Sequence, residues 1–201
     1  MRRKLLLATG NPGKIKEYKR IFRNLPFEIV TPAEVGVSSA VDEVGESLEE
    51  NARLKATVSA ARSHLLTLAD DSGLEVDALG GEPGRLSARY AGEGASDKDM
   101  VSYLLSRLRD VPREKRTAVF RCVIAIASPD GEVEFCSGET RGLITFEPRG
   151  EQGFGYDPVF YIPELGKTMA EIPPEIKERV SHRGKAARMA CQILERLKEA
   201  D

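Results

Sequence analysis

The sequence predicts an α/β protein built on a mixed β-sheet, and three observations carry that prediction. Apolar runs of strand length alternate along the chain with amphipathic or alanine-rich stretches of helix length. Two β-rich segments in the second half are joined by Ser128-Pro129-Asp130-Gly131, a hairpin signal, so the sheet needs antiparallel pairs. The 201 residues, 41% of them hydrophobic, suffice for one substantial core.

The first element is the apolar run Leu5 to Ala8, a strand, which leads into Thr9-Gly10-Asn11-Pro12-Gly13-Lys14 and an amphipathic helix over Ile15 to Phe22. Asn11 is suited to cap that helix, Pro12 to its first position, and Gly13 to close approach of a ligand to the backbone. The spacing is not that of a Walker loop, because two residues rather than four separate Gly10 from Gly13 and Ile15 follows Lys14. Lys14 nevertheless sets a cation in the first helical turn, where the macrodipole disfavours it and a bound anion would relieve the conflict.

Phe27-Glu28-Ile29-Val30 reads as a short strand, followed by the acidic stretch Val41 to Glu46. Ser47 with Glu50 forms a capping box that starts an alanine-rich helix through Ser63. Leu65 to Ala69 is a strand running into Asp70-Asp71-Ser72-Gly73, and Gly80 to Gly84 is a loop. Ser96-Asp97-Lys98-Asp99 begins a helix ending near Arg109, and Thr117 to Ala127 and Glu132 to Phe146 are the hairpin segments. A glycine- and aromatic-rich stretch, Gly150 to Asp157, precedes a last helix from about Arg183, with Ala186, Ala190, Ile193, Leu194 and Leu197 on one face.

Composition removes several function classes. Thirty basic against 32 acidic residues give a formal charge of −2, so neither a nucleic-acid polymer nor an anionic membrane is the expected partner. No apolar run approaches the ~20 residues of a membrane span. The stretch after Met1-Arg2-Arg3-Lys4 is too short for a signal-peptide core. Cys122, Cys136 and Cys191 fit neither a disulfide framework nor a zinc site, which suits a reducing cytoplasm.

The chemistry-bearing features are local. Asp70-Asp71 places two carboxylates at the end of an apolar strand, an arrangement that asks for a cation such as Mg²⁺; alternation in a strand turns only one of them toward a given site. Gly153-Phe154-Gly155-Tyr156-Asp157 sets an aromatic between glycines, where a ring face is available for stacking on a base. Ser181-His182-Arg183-Gly184-Lys185 gathers a histidine and two cations at a helix start. His64 has no comparable company and reads as structural.

Taken in order, these motifs resemble those of the inosine/xanthosine triphosphate pyrophosphatase family. The resemblance runs through Thr9-Gly10-Asn11-Pro12-Gly13-Lys14, Glu50-Asn51-Ala52 with Lys55-Ala56, Ala69-Asp70-Asp71-Ser72-Gly73-Leu74, Pro83-Gly84 with Ser87-Ala88-Arg89-Tyr90-Ala91-Gly92, Gly153-Phe154-Gly155-Tyr156-Asp157-Pro158, and Ser181-His182-Arg183-Gly184-Lys185-Ala186. It implies a two-lobed α/β fold with a long mixed sheet flanked by helices, an active-site cleft between the lobes, residues 1–201 as one nucleotide-hydrolase domain, and a homodimer. The implied reaction is Mg²⁺-dependent water attack at the α-phosphorus of ITP, dITP or XTP, giving the monophosphate and pyrophosphate.

The same resemblance assigns Asp71 as proton acceptor and metal ligand and Ser72 as a substrate contact. Thr9 to Lys14 become a triphosphate loop. Lys55, Phe154, Gly155, Tyr156, Asp157, Lys177, His182 and Arg183 become substrate-binding positions. Where the family carries Glu-Glu this chain has Asp42-Glu43, and Asp42 is favoured as the second metal ligand. Arg183 and His182 are the expected donors to the 6-oxo edge of the base, with Phe154 stacked on its ring. A hydrolase of other nucleotides on the same fold, or a nucleotide sensor without turnover, are the alternative classes.

Overall fold

A computed structural model describes residues 2–41 and 43–199. Among these the strands are β1 (Arg3–Leu7), β2 (Phe27–Val30), β3 (Leu66–Val76), β4 (Pro83–Gly84), β5 (Thr117–Ala127), β6 (Val133–Ile144), β7 (Phe160–Ile162) and β8 (Lys167–Thr168). The helices are α1 (Pro12–Ile21), α2 (Leu48–Ser63), α3 (Asp97–Arg107), α4 (Pro174–Val180) and α5 (His182–Glu199). The strands form one sheet in the order β2-β1-β3-β5-β6-β7-β8, with β4 also paired to β3. The pairs β1·β2 and β1·β3 are parallel, whereas β3·β4, β6·β7 and β7·β8 are antiparallel. The sheet is therefore mixed, as the sequence predicts.

Local chemistry explains most element boundaries. The Asn11 carboxamide accepts the Lys14 N–H at 3.1 Å and caps α1, with Pro12 at the first turn. Ser47 accepts the Glu50 N–H and starts α2. Ser96 and Asp99 form a reciprocal capping box at α3. Ser128 and Gly131 close the β5–β6 hairpin through Gly131 N–H to Ser128 carbonyl at 3.1 Å. One expectation fails: the strand over Leu65 to Ala69 does not stop at the aspartates but continues as β3 through Val76. Both carboxylates are buried with cationic or amide partners, so the strand keeps them without leaving charges unpaired. Beyond them Gly73 is required, because a β-carbon there would overlap the Gly84 carbonyl of β4.

The chain divides into two compact units, one of residues 1–71, 122–138 and 183–201 and the other of residues 72–121 and 139–182. In the first, β1, β3 and β5 set Leu5, Leu7, Leu66, Leu68, Cys122, Ile124 and Ile126 against Tyr18 and Phe22 and the Ala186–Ala190–Leu194 face of α5. Ala52, Ala56 and Ala60 of α2 pack with Ala69, Ala125 and Ala127, small residues that admit a helix close to a sheet. In the second unit, Leu74, Val76, Met100, Leu104, Phe120, Val159 and Phe160 form a separate core.

Candidate active site

The period of two along β3 organises the site. Leu66 and Leu68 belong to the core that contains α1 and α5, and Ala69 belongs to the core that contains α2. Alternation therefore sends Asp70 to the α1/α5 face and Asp71 to the α2 face. The partners agree. The Asp70 side chain is fully buried; its Oδ2 meets Lys14 Nζ at 2.9 Å and Arg183 Nε at 3.4 Å, with Cys122 Sγ at 3.7 Å. Asp71 lies near α2, where Lys55 Nζ donates to its Oδ1 at 2.9 Å and Asn51 Nδ2 to its Oδ2 at 3.2 Å.

These surroundings push the two carboxylates apart in proton affinity. Burial alone would raise Asp70, but the charges of Lys14 and Arg183 outweigh it and hold the carboxyl well below its ordinary range. For Asp71 burial wins: it raises the carboxyl above its ordinary value of 3.8 against the pull of Lys55, and the neighbouring Glu43 charge adds to the rise. Asp70 is thus a fixed anion, and Asp71 is the more basic of the pair. Such a separation is how one site obtains a structural carboxylate and a proton acceptor from the same residue type.

The acidic stretch meets Asp71 through two bridges. Lys55 Nζ reaches Glu43 Oε1 at 3.0 Å as well as Asp71, and the Asn51 Oδ1 accepts the Gly45 N–H at 2.9 Å. Asp42, favoured in sequence as the metal carboxylate, lies outside the described residues. Glu43 shares a cation, Lys55, with Asp71. Among the described residues no group of three His, Cys, Asp or Glu gathers as a metal cluster. Mg²⁺ does not require one: it keeps several waters and takes substrate phosphate oxygens beside one or two carboxylates. The donor set fits, since Asp71 and Glu43 already converge on one cationic group.

Thr9 to Lys14 form a capped turn at the start of α1, in which Asn11 N–H donates to Thr9 Oγ1 at 3.1 Å. The Lys14 ammonium is neutralised by Asp70, so the protein itself relieves part of the macrodipole conflict that the sequence exposes. Arg183 is 3% exposed, and its Nη1 donates to Glu17 Oε2 at 2.9 Å besides its contact with Asp70. Glu17 is not singled out by the sequence; Asn51 stands there within the Glu50-Asn51-Ala52 motif and Glu43 beside the favoured Asp42, neither with a role of its own.

In the second unit the aromatic loop is pinned from two directions. Phe154 N–H donates to Asp157 Oδ2 at 2.9 Å, and Gly155 N–H donates to Asp97 Oδ2 at 2.7 Å, at the start of α3. Lys177, buried in α4, pairs with the Asp157 carboxylate and lies 5.2 Å from the centroid of the Phe154 ring. One face of Phe154 is thus set against a cation. Tyr156 belongs to the core, with its hydroxyl donating to the Ser87 carbonyl at 2.9 Å. His182 is buried with its ring stacked on Phe120 at 4.5 Å, and Ser72 is half-buried at the start of this unit.

Gly153 makes the pin possible: its φ is +81°, and a β-carbon would overlap the Asp157 carboxylate and come within 3.0 Å of Lys177 Nζ. Gly155, at φ +60°, has open space around it. Gly153→Ala is therefore expected to cost about 2–4 kcal/mol, strain plus displacement of a buried ion pair, against about 1–2 kcal/mol for Gly155→Ala. Urea unfolding of the two variants checks this, and equal midpoints would mean that the Asp157–Lys177 contact does not constrain the loop.

Comparison with known proteins follows the same outline. The model of the Ham1 family matches residues 5–193. The chain is 51% identical over 183 residues to a dITP/XTP pyrophosphatase of Geobacter sulfurreducens, covering 91% of this chain and 92% of that protein. It is 43% identical over 190 residues to one of Bacillus subtilis, covering 94% and 96%. The solved structure of a HAM1 protein from Coxiella burnetii superposes with a TM-score of 0.87 at 37% identity, covering 96% of this chain and 99% of that one.

Proposed function

The chain belongs to the Ham1 family, and on that premise we propose that it is a nucleoside triphosphate pyrophosphatase that hydrolyses dITP, ITP and XTP to the monophosphate and pyrophosphate. The observation that carries this reading is the opposed pair on β3: Asp70 clamped by Lys14 and Arg183, and Asp71 raised in basicity on the other face beside Glu43. A phosphoanhydride hydrolase needs an acceptor for the proton of attacking water and cations for the charge on the leaving pyrophosphate.

In this reading Asp71 takes the proton from water. Lys14 and the α1 N-terminus, with Thr9, Gly10, Asn11, Pro12 and Gly13, hold the β and γ phosphates. Lys55 and Ser72 are further substrate contacts. Asp71, with Glu43 or Asp42, would hold Mg²⁺, which supplies charge neutralisation on the phosphates and lowers the pKa of a bound water. Phe154 stacks on the purine, the backbone of Gly155 and Tyr156 lies beside it, and Asp157 and Lys177 keep that ring in place. His182 remains the donor assigned to the 6-oxo edge, and Arg183 is given the role of counter-cation to Asp70. Residues 1–201 act as one nucleotide-hydrolase domain, a homodimer in the cytoplasm, where the nucleotide pool is.

The deciding experiment follows the products of ITP turnover with Mg²⁺. Pyrophosphate in one-to-one ratio with IMP is expected, with ATP a poor substrate because its 6-amino group meets a donor. Release of orthophosphate would assign a different hydrolase, and tight binding without turnover would assign a sensor.

A further inference from the structure

The second unit holds a cavity of about 210 Å³ that the proposed site does not use. Arg113, Thr145, Phe146, Arg149 and Tyr161 line it, and its lining includes no Asp or Glu. Among the described residues Arg149 has a loose contact to Glu147, at 4.0 Å, and a longer-range attraction to Glu171, and Arg113 lies 6.0 Å from the Tyr161 ring centroid.

Next to it is an unusual buried charge. Arg116 is 2% exposed, and its guanidinium donates to the carbonyls of Leu108 at 2.6 Å, Val111 at 3.1 Å and Thr145 at 2.6 Å. Among the described residues it pairs with no carboxylate; the Ile144 carbonyl accepts a longer bond at 3.5 Å, and the Phe146 ring lies over it, with the guanidinium carbon 4.0 Å from the centroid. Carbonyl dipoles and a ring face ease a buried guanidinium but do not cancel its net charge. The potential of Arg116 therefore adds to those of Arg113 and Arg149. Phe146, covered on one face by Arg116, is 58% exposed.

We propose that this cavity is a second binding site, for a nucleoside monophosphate whose phosphate lies between Arg113 and Arg149 and whose base stacks on the open face of Phe146. Guanidinium forks match phosphate oxygens, and a base stacks on any available aromatic face. The cavity is smaller than the ~300 Å³ at which sites for drug-sized ligands begin. It accommodates the phosphate and sugar, and the base rests outside on the rim ring.

Calorimetry of the full chain with AMP tests this, adenine being the base that the proposed active site disfavours. One saturable site is expected, weakened about tenfold or more in Arg113→Gln/Arg149→Gln and unchanged in Lys14→Ala, which removes a cation of the proposed triphosphate loop that does not line the cavity. Phe146→Ala is expected to weaken AMP while leaving inorganic phosphate binding as in the wild type. All these side chains except Lys14 are exposed, so the folded state survives their replacement. No AMP binding, or binding indifferent to the double arginine variant, overturns the proposal. So does loss of AMP binding in Lys14→Ala. If Phe146→Ala leaves AMP and inorganic phosphate alike, the site holds free phosphate and the nucleotide assignment falls. If AMP does not bind and Phe146→Ala instead shifts sedimentation from dimer to monomer, the face is an interface between copies of the chain and the ligand site is excluded.

Discussion

Asp71→Asn is expected to lower kcat for ITP by ~10²–10⁴, the contribution of a positioned acid–base group, while leaving nucleotide affinity and folding stability within a few-fold of the wild type. The amide fills the same volume. Lys55 keeps Glu43 as a partner at 3.0 Å, so the substitution strands no buried cation. What is lost is the basicity that burial gives this carboxyl. Asp70→Asn is the contrasting control. It removes the carboxylate charge that Lys14, whose side chain is 14% exposed, meets at 2.9 Å and one of the two that Arg183, at 3% exposure, meets, so its main effect is on stability, on the order of 3–5 kcal/mol. Turnover by Asp71→Asn within threefold of the wild type would transfer the proton acceptor's role to another carboxylate.

Arg183→Met carries the second large effect. The guanidinium joins Glu17 and Asp70, and Met fills similar space without charge. Loss of this cation leaves Asp70 with Lys14 as its ion-pair partner, and a cost of about 3–5 kcal/mol is expected on unfolding. Activity toward ITP and ATP should fall together, because the phosphate-side geometry is what is disturbed. Arg183→Lys should recover only part of either loss, since an ammonium lacks the fork that reaches two carboxylates at once. The sequence reading, with Arg183 as a donor to the base, predicts a different outcome: a selective loss of ITP turnover and a narrowed ITP/ATP ratio. Parallel kcat/KM measurements on both nucleotides separate the two, and selective loss would restore the base-donor role.

Much of this protein was legible before any coordinates because its signals are short-range. Caps at Asn11, Ser47 and Ser96 need only a residue and a backbone N–H three positions on. The hairpin turn at Ser128 to Gly131 is equally local. Alternation along β3 likewise dictates that Asp70 and Asp71 face opposite ways, whatever surrounds them. The order of six motifs carried the family and, through it, the proposed reaction.

Which neighbour each face meets was not legible. Asp70 pairs with Arg183 across 113 positions of sequence, a contact decided by the docking of α5 against β3 and β5 in one core. The same packing gave Asp71 to Lys55 and Asn51 of α2, let the strand run on through both acids, and bound the Arg183 guanidinium to two carboxylates. Local sequence fixes the direction of a side chain, since that depends on backbone geometry alone. Its proton affinity and its role depend on which charges the tertiary fold brings within about 4 Å, and those come from distant segments.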